Sequence, residues 1–239
     1  MQTHEKVLDI KGHTDTVSSV DISPDSTKFA TGGSDKLAFI WSITTGKTLV
    51  GPLQHDGWVV AVRFSANGDR IATAGAVDSE NPGATGSVRT YNSENGQQLL
   101  EISFQVQPHL SSPFVWSADG RQLFALSASE VKSFDASSGV LLSEWSIHSQ
   151  GHSTSVALAH NQKFIVTSAN KSLSFWDTST VTQIGSVVEH ASLIWSIALS
   201  PNDDCIATGE ENGVVTLRSL RDILPISYFT VNVSDLTWQ

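Results

Sequence analysis

The chain has 239 residues, 39% of them hydrophobic and 16% charged, with a formal net charge of −10 at pH 7. That balance belongs to a folded protein rather than a disordered one. Its sign makes phosphate backbones and anionic lipid poor partners, so nucleic acid and membranes are set aside. Cys205 is the single cysteine, which excludes an internal disulfide framework. The start, MQTHEKVLDIKG, has no apolar signal-like core, and no apolar run approaches transmembrane length. The compartment expected is the cytoplasm or nucleus.

In chain order, one unit recurs five times. Its anchors are Ser23-Pro24-Asp25, Ser65-Ala66-Asn67, Ser117-Ala118-Asp119, Ala159-His160-Asn161 and Ser200-Pro201-Asn202, spaced by 42, 52, 42 and 41 positions. A period of about 40–45 residues is that of a four-stranded propeller blade. Three and one residues before each anchor stand Val20/Ile22, Val62/Phe64, Phe114/Trp116, Val156/Leu158 and Ile197/Leu199. All are apolar, and a spacing of two puts each pair on one face of a first strand.

Six residues after the anchors, Phe29, Ile71, Leu123, Ile165 and Ile206 open a second strand. Between the two lie Asp25-Ser26, Asn67-Gly68, Asp119-Gly120, Asn161-Gln162 and Asn202-Asp203, which suit the positive φ of a tight hairpin. A third strand ends on Trp41, Tyr91, Phe134 or Trp176 in four copies. A fourth follows a turn, as in Thr45-Gly46 before KTLVGPL and Ser138-Gly139 before VLLSEW. No segment offers a long helical period, so the chain reads as all-β.

Residues 12–41, GHTDTVSSVDISPDSTKFATGGSDKLAFIW, resemble the WD-repeat (WD40) pattern along their whole length. The resemblance implies a WD40-type β-propeller of four-stranded antiparallel blades, with repeats near 12–53, 54–106, 107–148, 149–189 and 190–230 of one domain, 1–239. It also implies a structural hydrogen-bond set of His13, Thr31, Asp35 and Trp41, which stabilises a blade only when complete, because each buried polar atom left unpaired costs about 1–3 kcal/mol.

The later copies depart from it. Blade two keeps His55 and Thr73 with Tyr91 for the Trp. Blade three has Gln107 for the His and ends on Phe134. Blade four has Trp176-Asp177 but Ser149 for the His. Blade five has His190 and Thr208, with Asn212 for the Asp and Arg218 for the Trp.

At the ends, EKVLDI (5–10) reads as an outer strand. Ile223–Phe229 reads as the outer strand of blade five, and 231–239 as the start of a sixth blade. The expectation is an incomplete or truncated propeller, one closed unusually, or one completed by another chain or missing repeats.

In the family geometry, the loops joining second to third strands share a face with those entering first strands. The ligand-facing positions, seven and five before each anchor, are Thr16/Ser18, Trp58/Val60, Leu110/Ser112, His152/Thr154 and Leu193/Trp195. Trp58, Trp195, Leu110, His152 and Leu193 are therefore the partner-binding candidates, since Trp is enriched where interfaces carry their energy. The alternative is that either Trp packs between neighbouring blades. Asp78 and Glu80, in the insertion 76–86, would favour a basic peptide.

The sequence has no Gly-x-Ser-x-Gly elbow, no phosphate loop and no His-Glu-x-x-His, so no catalytic residue is assigned. His148, His152 and His160 lie in strand and turn without a nearby Cys or carboxylate, so neither metal nor cofactor is expected. The function expected is a non-catalytic scaffold or adaptor that recruits a peptide or protein domain. The alternative is a mainly structural repeat segment of a larger signalling or regulatory protein.

Overall fold

A computed structural model describes residues 9–76, 86–103, 113–127, 129–147 and 153–229. Leu110, His152, Asp78 and Glu80 lie outside them, as do Gln107, Ser149 and 231–239. The described residues form five antiparallel sheets. Sheet one is β1 (Val17–Ile22), β2 (Lys28–Gly33), β3 (Leu37–Ser42) and β4 (Thr48–Gln54). Sheet two is β5 (Val59–Phe64), β6 (Arg70–Gly75), β7 (Ser87–Asn92) and β8 (Gln98–Ser103). Sheet three is β9 (Phe114–Trp116), β10 (Gln122–Leu126), β11 (Glu130–Asp135) and β12 (Leu141–Ser146). Sheet four is β13 (Ser153–Leu158), β14 (Phe164–Ala169), β15 (Ser172–Asp177) and β16 (Val188–Glu189). Sheet five is β17 (Ile194–Leu199), β18 (Cys205–Glu210) and β19 (Val215–Ser219). In each, strands adjacent in sequence are adjacent in space.

The anchor serine explains the tight turn between the first two strands. The hydroxyls of Ser23, Ser65, Ser117 and Ser200 accept the amides of Lys28, Arg70, Gln122 and Cys205 at 2.9–3.0 Å. Ala159 keeps only the backbone bond, donating its amide to the Phe164 carbonyl at 2.9 Å. Between them, Ser26, Gly68, Gly120, Gln162 and Asp203 all take positive φ, 57–75°.

The turn between third and fourth strands has its own device. The residue after the aromatic caps two amides ahead of it: Asn92 holds Glu94 and Asn95, Asp135 holds Ser137 and Ser138, and Asp177 holds Ser179 and Thr180. Hydrogen bonds from the Ser137 and Ser138 hydroxyls depress the Asp135 carboxyl far below the usual range, and the Ser179 hydroxyl does the same for Asp177.

The described residues sort into two compact units. The first holds sheets one and two with residues 119–121 and 135–140, and the second holds the rest. In the first, Ala30, Ala38, Ile40, Val50 and Leu53 of sheet one meet Val59, Val62, Phe64, Ile71 and Tyr91 of sheet two in one buried cluster. In the second, Phe164, Val166, Leu173 and Phe175 of sheet four join Ile194 and Ile206 of sheet five.

One expectation fails here. Residues 223–229 form no outer strand: 3-10 turns at Leu220–Asp222 and Ile226–Tyr228 follow β19. Pro225, between the turns, has no amide to donate to a ladder. The segment instead buries Leu220, Leu224 and Phe229 in the second unit's core. Tyr228 donates its hydroxyl to Asp177 Oδ2 at 2.7 Å. Burial first, and then that bond, push the phenol up to about 12.

Candidate protein-interaction face

In sheet one the four polar residues of the repeat meet. His13 Nδ1 lies 2.9 Å from both Asp35 oxygens, His13 Nε2 lies 2.7 Å from Thr31 Oγ1, and Trp41 Nε1 donates to Thr31 Oγ1 at 2.9 Å. The proton order that satisfies every atom runs from the Trp41 N–H to the Thr31 hydroxyl, from that hydroxyl to His13 Nε2, and from His13 Nδ1–H to Asp35. Burial opposes ionisation of Asp35, but His13 and the Thr14 amide outweigh it and hold the carboxyl below its ordinary value. Gly33 leaves the room: a Cβ there would stand 2.8 Å from Asp35 Oδ1 and from His13 Nδ1. Every member is engaged within the blade, which ties the first strand's entry loop to the second and third strands.

The other sheets keep pieces of this chain. His55 Nε2 and Thr73 Oγ1 are 3.0 Å apart in sheet two, while buried His55 Nδ1 has no partner among the described residues. Desolvation, then the Arg89 charge, lowers the His55 imidazole to about 4. Sheet three has Ala125 where the threonine would stand. Sheet four, with no His in register, retains the Trp176 Nε1 bond to Thr167 Oγ1 at 2.9 Å.

In sheet five the expected acceptor is replaced. Asn212, exposed in the turn, accepts the Val214 amide, and Glu210 two positions earlier takes His190 Nδ1 at 2.9 Å. Glutamate's extra methylene lets the last residue of β18 reach the ring, and the His190 bond holds Glu210 below its ordinary value. His190 Nε2 and Thr208 Oγ1 are buried without partners among the described residues.

The residue immediately before each first strand shows where the rim lies. The carbonyls of Thr16, Trp58 and Leu193 accept the amides of Ser34, Ala76 and Glu211 at 2.8–2.9 Å. Those three amides immediately follow β2, β6 and β18. Within each of these sheets, the loop entering the first strand and the loop leaving the second are therefore tied on the same edge. Trp58 and Trp195 are each 43% exposed on it. Leu193 is half-buried, and Val60, two residues after Trp58, is buried.

The sequence pattern marks these tryptophans as unusual only because other copies carry Thr16 or Ser18 there. Nothing in the pattern signalled Glu210. Among the described residues, no cluster of three metal-ligating side chains occurs, and no helix is long and apolar enough to cross a membrane.

A family model, the WD domain, G-beta repeat, matches residues 4–42, 47–80, 139–177 and 181–218. It covers more than half of the chain, which belongs to the WD40-repeat family of β-propeller blades. The unmatched span includes most of sheet three, whose Ala125 and Phe134 break the polar set. Among curated proteins, the chain is similar to the small ribosomal subunit protein RACK1 of Caenorhabditis elegans, 31% identical over 122 residues. That alignment covers 48% of this chain and 34% of the relative. Membership points to a protein-interaction role, in general terms, rather than an enzymatic one.

Proposed function

We propose that the chain is a non-catalytic scaffold or adaptor that recruits a peptide or protein domain through the loop edges of its sheets, with Trp58 in the first unit and Trp195 in the second as the contact residues. The observation that carries this reading is the exposure of two indoles, 43% each, on edges whose loops are pinned by backbone hydrogen bonds. A large aromatic on a rigid backbone contributes contact area at little conformational cost, as binding residues require. Leu193 lies on the loop edge of sheet five, and Leu110 and His152 hold the corresponding positions of their repeats by register. Asp78 and Glu80 favour a basic or lysine-bearing segment in the partner. The working propeller is completed by another chain or by further repeats, in the cytoplasm or nucleus.

The relative's name places it in the small ribosomal subunit, a phosphate-rich assembly. A chain of net charge −10 is poorly suited to a phosphate-rich surface.

The test is recovery of partners from native lysate by the wild type and by a Trp58→Ala/Trp195→Ala double variant with matched circular dichroism. Partners so identified are then titrated calorimetrically. Loss of at least tenfold in affinity supports this reading, and equal affinity of both proteins overturns it.

A further inference from the structure

Five copies of one register allow the first and last sheets of the chain to be compared with the interface already described between sheets one and two. On the leading side of that interface are Val59, Val62 and Phe64 of β5, opposite Gly75, Thr73 and Ile71. Val59 and Val62 are fully buried and Phe64 nearly so. The same register in β1 is Val17, Val20 and Ile22, opposite Gly33, Thr31 and Phe29. These are as apolar, yet 45%, 64% and 62% exposed. Beside them lies a cavity of about 240 Å³ lined by Gly12, Val17, Phe29 and Trp41 among others.

The trailing side tells the complementary story. In sheet one, Ala30 pairs with Ile40 and Gly32 with Ala38. Gly32 is what admits the neighbour: a Cβ there would stand 2.5 Å from Val59 Cγ1 and 3.0 Å from Val62 Cγ1. In sheet five the same pairs are Ala207 with Leu217 and Gly209 with Val215. The alanine and the glycine recur at identical places. Among the described residues, only Ser196 of its own sheet would lie within 4 Å of a Cβ at Gly209. Val215 and Leu217 are 76% and 71% exposed, where Ala38 and Ile40 are fully buried.

Sheet five thus presents the face that receives Val59 and Val62 in sheet one, and sheet one presents a face of the kind received. Contiguous apolar faces of this sort mark interaction sites. Repeat units bury them by stacking on a neighbour in the same register.

We propose that these faces form a heterologous interface between copies of this chain, in which Val215, Leu217 and Gly209 of one protomer cover Val17, Val20 and Ile22 of the next. The inference rests on the reading that another chain completes the propeller, and it commits that chain to be a second copy. Both halves of the interface are carried by this sequence, which is what commits the occupant to a second copy. The contact is head-to-tail, with sheet five meeting sheet one rather than like meeting like, so each protomer has one donor and one acceptor face.

The experiment is sedimentation velocity on the purified chain, with Val20→Asp and Leu217→Asp as single variants. Both residues are exposed within the protomer, so the fold tolerates the charge; circular dichroism of each variant checks this, and Val20→Ser and Leu217→Ser serve if it changes. Wild type is expected to exceed monomer mass at micromolar concentration, and each variant to sediment as a monomer.

Mixing the two variants is the decisive arm. The Val20→Asp protein keeps an intact sheet-five face and the Leu217→Asp protein an intact sheet-one face, so the mixture forms one-to-one dimers and nothing larger. A wild type that stays monomeric to about 100 µM, oligomers that survive either substitution, or a mixture that remains monomeric each overturns the proposal. The Trp58→Ala/Trp195→Ala protein associates like wild type if the two surfaces are separate, so failure of the recruiting edge and failure of this interface are read independently.

Discussion

At the scale of single residues, a threonine hydroxyl bridging two rings decides how much a blade gains from its polar set. Thr31 Oγ1 contacts both Trp41 Nε1 and His13 Nε2, whereas among the described residues Thr167 Oγ1 meets Trp176 Nε1 alone. Thr31→Val therefore strands two buried nitrogens and Thr167→Val one. The expected losses are about 3 kcal/mol and about 1.5 kcal/mol, measured by urea denaturation. His55 makes a prediction in pH. Its folded value is lowered to about 4 against an ordinary imidazole value of 6.5, so the unfolded chain binds the proton more readily between those limits. The neutral ring's contribution is complete above pH 6.5 and falls away as pH drops toward 4. A loss of about 2–3 kcal/mol across that window is expected, and a His55→Gln protein should show a flatter profile.

At the scale of the element, the turn between third and fourth strands tests how far one copy can stray. Gly46, Gly96 and Gly139 take φ of 66–72° there, and sheet four places Val181 at 59°. A β-branched residue in that region is strained by about 1–2 kcal/mol, while glycine costs about 0.5–1 kcal/mol of unfolded-state entropy. Val181→Gly relieves that strain but gives up a half-buried side chain packed against the cluster of Trp145 and Trp176, so it is expected to destabilise by about 0.5–1 kcal/mol, visible as a small fall in melting temperature. Gly96→Val should destabilise by about 2–3 kcal/mol, because its Cβ would meet Val50 Cγ1 at 2.6 Å in addition to the backbone strain. The same turn shows why sheet four remains a WD40 blade without a His in register: Asp177 caps its turn and Trp176 still finds Thr167.

At the scale of the whole molecule, binding and stability should separate. Trp58 and Trp195 are each 43% exposed, so replacing either with alanine gives up only the covered part of the indole and is expected to lower unfolding free energy by about 1–2 kcal/mol. Partner affinity should fall at least tenfold by calorimetry. A large loss of stability instead would mean that the indoles pack between blades. The WD40 match and the partial similarity to the nematode protein bear on the class of function, while the proposed recruiting role of Trp58 and Trp195 rests on their exposure.

Much of the fold was legible from the chain alone. Periodicity of two, the anchor Ser or Ala, and the turn residues with positive φ are local properties of the backbone and its neighbours. They specified the first two strands of all five sheets and the place of the hairpin turns. The His13, Thr31, Asp35 and Trp41 positions were legible because one repeat keeps a whole family pattern. Other features had no local signal. Whether Glu210 or Asn212 serves His190 depends on side-chain reach across a sheet. Residues 220–229 abandon the strand because Pro225 interrupts the ladder while Leu220, Leu224 and Phe229 find a core. Val20 and Val62 are indistinguishable in sequence, yet one is exposed and the other buried. Burial is set by what stacks against a sheet, and only the tertiary structure supplies that neighbour.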